Sequence, residues 1–177
     1  MPPVSHKSLI VITGAAGLVG QNLLLLLGER GYNNLLAIDA HADNLAIAAK
    51  LNPGINTLCA DLSAAGDWQQ AFAGAGAVIQ LHAQITSLHE ADFVRNNIDA
   101  TRHVLAACQQ YNIPYLIHVS SSVLHSVADD AYTRTKRIQE ELVQSSGMES
   151  CILRPTLMFG WFDPKHFGWL SRFMDRT

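Results

Sequence analysis

Between Leu9 and Leu27 the chain is almost entirely apolar, yet glycines stand at 14, 17 and 20, and Thr13, Gln21 and Asn22 interrupt the run. An apolar stretch of this length raises the question of a membrane span. Three glycines and three polar side chains inside it argue against one. A short β-branched strand over Leu9–Thr13, a glycine-rich turn, and a buried helix from Leu18 to Arg30 account for the same residues. Gly31 then closes the helix as its C-terminal cap. The segment before the run, Met1 to Ser8, is short and polar and carries no secretory apolar region.

The rest of the chain repeats this alternation. Apolar runs at Leu35–Asp39, Ile55–Ala60, Ala77–Leu81, Pro114–Ser120 and Ser150–Arg154 read as strands two to six. Helices are expected at Asn44–Leu51, weakly at Trp68–Phe72, at Phe93–Gln110 and at Ala131–Gln144. In the third of these, Val94, Ile98, Thr101 and Leu105 fall at helical spacing. Asn52-Pro53-Gly54 is a strong turn signal. Fully apolar strands separated by helices imply a parallel sheet covered on both faces, and right-handed crossovers make it doubly wound. The fold class is therefore α/β, a Rossmann-type doubly wound sheet. At 177 residues and 49% hydrophobic the chain can fill one core. A formal charge of −3 offers no basic excess for nucleic acid or an anionic membrane. Cys59, Cys108 and Cys151 lie far apart, as reduced thiols in a cytoplasmic protein would, and no metal-ligand spacing is present.

The turn Gly14-Ala15-Ala16-Gly17-Leu18-Val19-Gly20 sits where the first strand gives way to the first helix. Glycines there permit a tight turn, close backbone approach to a pyrophosphate, and close packing of helix on strand. The helix N-terminus, at Leu18, Val19 and Gly20, offers unsatisfied N–H groups and the positive end of its dipole. Asp39 closes strand two about 20 residues on, where an acid holds ribose hydroxyls. No Arg or Lys lies in the turn or just after Asp39, so a 2′-phosphate would meet a carboxylate without counter-charge. NAD is favoured over NADP.

Further on, Tyr132 and Lys136 lie four apart in an expected helix and share one face. A free tyrosine titrates near 10 and is a poor base at neutral pH. A neighbouring ammonium and a nicotinamide ring cation would both favour the phenolate and bring it into a useful range. A pair exposed on a helix surface would show the same spacing, so position has to decide.

These motifs together resemble the short-chain dehydrogenase/reductase superfamily, in particular its extended branch, the NAD-dependent epimerase/dehydratase family. The resemblance covers essentially the whole chain. Asp61-Leu62 is similar to the family's strand-three pair, whose acid faces the adenine. Residues 77–83, with Leu81, His82 and Ala83, are similar to the strand-four motif V-I-H-L-A-A. His82 stands where a small residue is usual, a departure that would crowd the cofactor's ribose. Asn97-Ile98-Asp99-Ala100-Thr101 resembles N-V-x-G-T. Leu153-Arg154-Pro155 through Phe159-Gly160 resembles the segment that follows strand six, beside the nicotinamide. Tyr132 and Lys136 match Tyr-x-x-x-Lys. The run Ser120-Ser121-Ser122 resembles the serine motif that ends strand five, and implies Ser121, with Ser122 the alternative, as partner of the substrate oxygen. His125 and Ser126 replace the usual Tyr-Gly, and only ten residues separate Ser121 from Tyr132.

The resemblance implies NAD-binding and hydride transfer at a hydroxyl of a nucleotide sugar or related small molecule. Tyr132 would act as acid/base, Lys136 would hold the ribose, and Ser121 would bond the substrate oxygen. A plain dehydrogenase or reductase, or a non-catalytic NAD-binding sensor, is the alternative; His82, His125 and the short loop motivate the sensor. The family pairs as homodimers through helices like those carrying Asn97 and Tyr132. The remaining histidines carry no ligand spacing, and His118, inside a strand, is expected to be a satisfied core or interface residue. Residues 1–160 are expected to form the NAD-binding domain. Residues 161–177, with apolar Phe167, Trp169, Leu170, Phe173 and Met174, would begin a C-terminal substrate-binding region that is cut short.

Overall fold

The computed structural model describes residues 4–160 together with Met174. Six parallel strands form one sheet: β1 (Leu9–Thr13), β2 (Leu35–Asp39), β3 (Asn56–Cys59), β4 (Ala75–Gln80), β5 (Leu116–Val119) and β6 (Ser150–Leu153). Their order is β3-β2-β1-β4-β5-β6. The chain winds one way from β1 to β3 and the other way from β4 to β6. The crevice at the carboxyl ends of β1 and β4 is therefore the switch point where open α/β sheets receive ligands. Register is continuous across it, with Ile12 opposite both Ala37 and Ile79, and Thr13 opposite both Ile38 and Gln80.

Helices α1 (Leu18–Glu29) and α2 (Ala42–Leu51) follow β1 and β2. A four-residue helix α3 (Glu90–Phe93), a π-helical segment (Val94–Asp99) and α4 (Ala100–Gln110) run together between β4 and β5. Helix α5 (Ala131–Ser145) joins β5 to β6. No described helix is long and apolar enough to cross a membrane. Gly31 ends α1 as the sequence implies. Its φ is +83°, its N–H bonds Gly28 O at 2.9 Å, and Tyr32 N–H reaches back to Leu27 O at 3.0 Å. That is a Schellman closure, which needs a left-handed residue.

The central strands are apolar up to their carboxyl-end residues because both faces are covered. One core joins Ile10, Ile12, Leu24, Leu35, Ala37, Leu45 and Ala48. The other joins Val11, Ile38, Val78, Val104, Leu105, Leu116 and Val143. Each fully buried aliphatic of this size contributes about 1.5–3 kcal/mol.

Several elements differ from the sequence expectation. Residues Asp67–Phe72 form a 3-10 helix, not an α-helix, with Trp68 and Phe72 buried. β4 begins at Ala75, two residues early. The helix expected from Phe93 begins at Glu90 and carries the π segment. The wider π turn changes the facing, so Phe93 is buried and Val94 is exposed, while Ile98, Thr101 and Leu105 keep the inward side. The expected C-terminal region, residues 161–177, lies outside the described residues except for Met174.

Candidate active site

The glycine turn is built by backbone contact. Gly14 has φ +71°, and a Cβ there would lie 2.5 Å from His82 N. A Cβ on Gly20 would lie 2.4 Å from Ala15 O, inside the turn's own backbone. Gly17 is the N-cap of α1, and no side chain caps the helix there. The first-turn N–H groups at Leu18, Val19 and Gly20 thus stand at an uncapped, positive helix end just beyond the carboxyl end of β1. Asp39, at the end of β2, is buried and accepts from Ala16 N–H and His41 N–H, both at 3.0 Å. Strand-end acid and glycine turn are locked to each other. Ala60 N–H bonds Asp39 O at 3.0 Å, which brings the end of β3 alongside. Asp61 just beyond is exposed, with its carboxyl held below the usual range by hydrogen bonds from Ser63, first from its side chain and then from its backbone. Leu62 is buried beside it.

On the other side of the crevice the layer between sheet and helices turns polar. Thr13, Gln80 and His118 continue the face that carries Val11, Val78 and Leu116 below them. Gln80 Nε2 donates to Thr101 Oγ1 at 2.7 Å, and Gln139 Nε2 donates to the same oxygen at 2.8 Å. His82 Nδ1 lies 2.9 Å from Thr13 Oγ1, and its Nε2 lies 3.4 Å from Gln80 Nε2. The His82 ring is therefore turned into this layer and bonded there.

His118 departs from expectation. It is fully buried, but among the described residues neither ring nitrogen has a hydrogen-bond partner. Burial, then the charge of Lys136, then His82 push its pKa down to about 2. Burial, then Lys136, push His82 down to about 3. Both rings are neutral at physiological pH.

Ser121, Tyr132 and Lys136 come from the β5 exit and the start of α5. Ser121 N-caps a 3-10 turn (Ser122–His125), accepting from Val123 N–H at 3.3 Å. Asp130 caps α5 by accepting from Thr133 N–H at 2.7 Å, which places Tyr132 in the first turn. Lys136 is 1% exposed and donates to Val119 O at 3.0 Å. Burial lowers its pKa to about 8, against the raising pull of Glu140. The expected depression of Tyr132 by Lys136 is not what this arrangement gives. Burial foremost holds the phenol above its ordinary value, with the Ser121 hydrogen bond opposing and Asp130 adding to the rise. One of the three ammonium donors is spent on the Val119 carbonyl.

Asn97 is fully buried at the π segment. Its Oδ1 accepts from Gln84 N–H at 2.6 Å, and its Nδ2 donates to Gln84 O at 3.2 Å and to Thr135 Oγ1 at 3.0 Å. The side chain clamps the loop after β4 to α5, one residue before Lys136. Leu81 and Ala83 lie on the same loop, half-buried, with Leu81 N–H bonded to Thr13 O at 2.9 Å. Pro155 is brought to the serine turn, where its carbonyl accepts from Ser122 N–H at 2.9 Å. A groove of about 360 Å³ opens between the start of α1 and this exit, lined by Leu18, Val19, Leu157 and Met158 among others.

The sequence reading missed Gln84 and Thr135, which give Asn97 its purpose, and the pair Glu140–Arg154. Arg154 Nε bonds both Glu140 oxygens, at 3.1 and 3.0 Å, and its Nη2 also bonds Oε1. Glu140, four residues beyond Lys136, was the available signal.

A doubly wound sheet with a glycine turn, a strand-end acid at the switch point and a Tyr–Lys helix beside it defines a Rossmann-type protein of the short-chain dehydrogenase/reductase class. The chain belongs to the NAD dependent epimerase/dehydratase family, whose model matches residues 10–176. Among curated proteins it is similar to short-chain dehydrogenase/reductase family 42E member 1 of Macaca fascicularis, 23% identical over 99% of this chain and 52% of the relative. It is also similar to 2-alkyl-3-oxoalkanoate reductase of Stenotrophomonas maltophilia, 28% identical over 85% of this chain and 51% of that protein. Among solved structures, the Bordetella bronchiseptica enzyme WbmH in complex with NAD+ aligns with a TM-score of 0.84 at 18% identity, over 97% of this chain and 64% of that one. The dTDP-glucose 4,6-dehydratase DesIV of Streptomyces venezuelae, with NAD and TYD bound, aligns at 0.80 and 16%, over 94% and 62%. The chain spans about half the length of the curated relatives it matches.

Proposed function

We propose that this chain is the NAD-binding and proton-transfer part of an oxidoreductase that moves a hydride between NAD and the carbinol or carbonyl carbon of a small molecule. The observation that carries the cofactor reading is the cradle itself. Gly14 and Gly20 leave no room for a Cβ, the α1 terminus has no side-chain cap, and Asp39 is fixed at the turn. The chemistry of these donors fits a pyrophosphate and a ribose diol, and a free 2′-hydroxyl suits the Asp39 carboxylate better than a 2′-phosphate.

Bound NAD would supply the hydride acceptor. Asp39 would accept from the adenosine ribose, with Asp61 and Leu62 near the adenine. Lys136 would reach the other ribose, with Leu81, Ala83 and Pro155 lining that end and Asn97 holding the loop in place. Ser121 would hydrogen-bond the substrate oxygen. In its phenolate form, which the positive charge of a bound nicotinamide ring would favour, Tyr132 would take the hydroxyl proton as the carbon–hydrogen bond gives up its hydride. In the reverse direction the phenol returns the proton to the carbonyl oxygen. General acid–base help of this kind contributes about 10²–10⁴-fold. Tyr132→Phe is therefore expected to abolish turnover in the full-length protein while NAD affinity, read by calorimetry, stays within about twofold. Retained turnover would overturn the assignment.

Ile85, Leu88 and Val127 stand exposed on the two loops that flank Ser121 and Tyr132. They favour an apolar hydroxy or keto substrate and net dehydrogenation or reduction. The family description favours the second reading, a nucleotide sugar epimerised or dehydrated with NAD regenerated. Net formation of NADH from the hydroxy compound, or net consumption of NADH with the keto compound, supports the first reading; product with no net change in NADH supports the second. In either reading, residues 1–160 are the NAD-binding domain and residues 161–177 lead into a substrate-binding region. Residence in the cytoplasm and pairing as a homodimer belong to the same proposal, the latter tested by light scattering.

A further inference from the structure

Lys136 and Glu140 lie one turn apart on α5, both facing inward, 1% and 6% exposed. The Lys136 ammonium bonds one carbonyl, Val119 O. Glu140 is gripped by Arg154, the first residue beyond β6, in a two-pronged fork that uses both carboxylate oxygens. The other titratable groups around Lys136 are Tyr132 on its own helix, His118 on β5 and His82 beyond β4, while His125 acts on Glu140. His118, buried, and His82, half-buried, are both neutral at physiological pH, and Tyr132 is held in its phenol form. Glu140 is thus the anion whose field reaches Lys136, and it opposes the burial that drives the ammonium toward neutrality.

We propose that Glu140 and Arg154 govern the charge of Lys136, Glu140 as the buried anion that keeps the ammonium protonated and Arg154 as the cation that limits that pull. Both are positioning residues, since they act through Lys136. The pair connects the segment leaving β6 to the catalytic helix. A shift of Arg154 with that segment changes the acidity of Lys136 without moving Lys136 itself. The inference rests on the role proposed for Lys136 above, but its physical content is an acidity that can be read without substrate or cofactor.

The sequence has four lysines, so side-chain NMR of isotopically labelled lysine in the 177-residue chain resolves Lys136 readily. Glu140→Gln is expected to move the Lys136 titration midpoint down from its wild-type position. Arg154→Gln is expected to move it up. The double variant is expected to lie between the two. A merely structural ion pair would behave differently, because loosening and hydration would shift both single variants upward, toward an ordinary lysine. Two shifts of the same sign, or no shift in Glu140→Gln, would overturn the proposal. Should Arg154→Gln not fold, Arg154→Lys, which keeps the cation and loses the fork, is expected to give a smaller upward shift, and the sign in Glu140→Gln decides alone. Split midpoints with no NAD binding would sink the oxidoreductase reading only. NAD binding with midpoints that do not split would sink only this one.

Discussion

The two faces of the sheet meet the same crevice by opposite means. On the α1 and α2 face the upper layer is made of glycine and alanine, with Ala15 and Ala16 buried and Gly14, Gly17 and Gly20 forming the turn. Recognition there, as proposed, would fall to backbone N–H groups, and side chains would only obstruct them. On the α4 and α5 face the upper layer is made of polar side chains, Thr13, Gln80, Asn97, Thr101, His118, Lys136 and Gln139, set on an apolar floor. A binding surface for phosphate can be made of main chain alone, whereas proton transfer needs groups that titrate. Titrating groups in turn need a polar surround to sit inside a protein.

That contrast is best broken at Gly20. An added Cβ would lie 2.4 Å from Ala15 O, a backbone atom that cannot swing aside. Gly20→Ala is expected to cost on the order of 3 kcal/mol, measured by urea unfolding, and to abolish NAD binding. The polar face should yield in smaller steps. Asn97→Ala removes the clamp on Gln84 and leaves its N–H unpaired, at an expected cost of about 2 kcal/mol. Faster hydrogen exchange confined to the loop after β4 and the start of α5 would mark the loss as local.

His118 sharpens the comparison through pH. The unfolded chain takes up a proton at His118 below about pH 6.5, which the folded chain refuses until about 2. Stability therefore falls as the pH drops through that window, by about 1.4 kcal/mol per unit well below 6.5. His118→Leu is expected to remove its share of that slope, so that stability measured between about pH 6 and 4 falls less steeply than in the wild type, where His82 adds a share of its own. Parallel curves for the two proteins would show that His118 is hydrated in the fold.

Much of this was readable from residues in order. The apolar runs, Gly31 and the turn at Asn52-Pro53-Gly54 punctuate the chain by local backbone preference, and such signals survive without tertiary context. The π segment did not show, because Val94, Ile98, Thr101 and Leu105 satisfy an ordinary helical period. Only the demand that Asn97 reach both Gln84 and Thr135 reveals the extra residue in the turn. His118 looked like a satisfied strand histidine. Its isolation depends on which groups β4 and α5 bring near it. The acidity of Tyr132 was read from a neighbour in sequence, whereas burial and the Val119 carbonyl decide where the Lys136 charge is spent.

The sequence by itself determined the alternation of strand and helix, the glycine turn with its acid 20 residues on, and the shared face of Tyr132 and Lys136. These follow from covalent geometry and from periods of two and 3.6, which act over a few residues. Tertiary structure alone decided that Asp39 locks onto Ala16, that the His82 ring meets Thr13, and that Arg154 meets Glu140 one turn beyond Lys136. Those contacts join residues 14 to 69 positions apart. Charge and hydrogen bonding act through space, and only the folded sheet sets those distances.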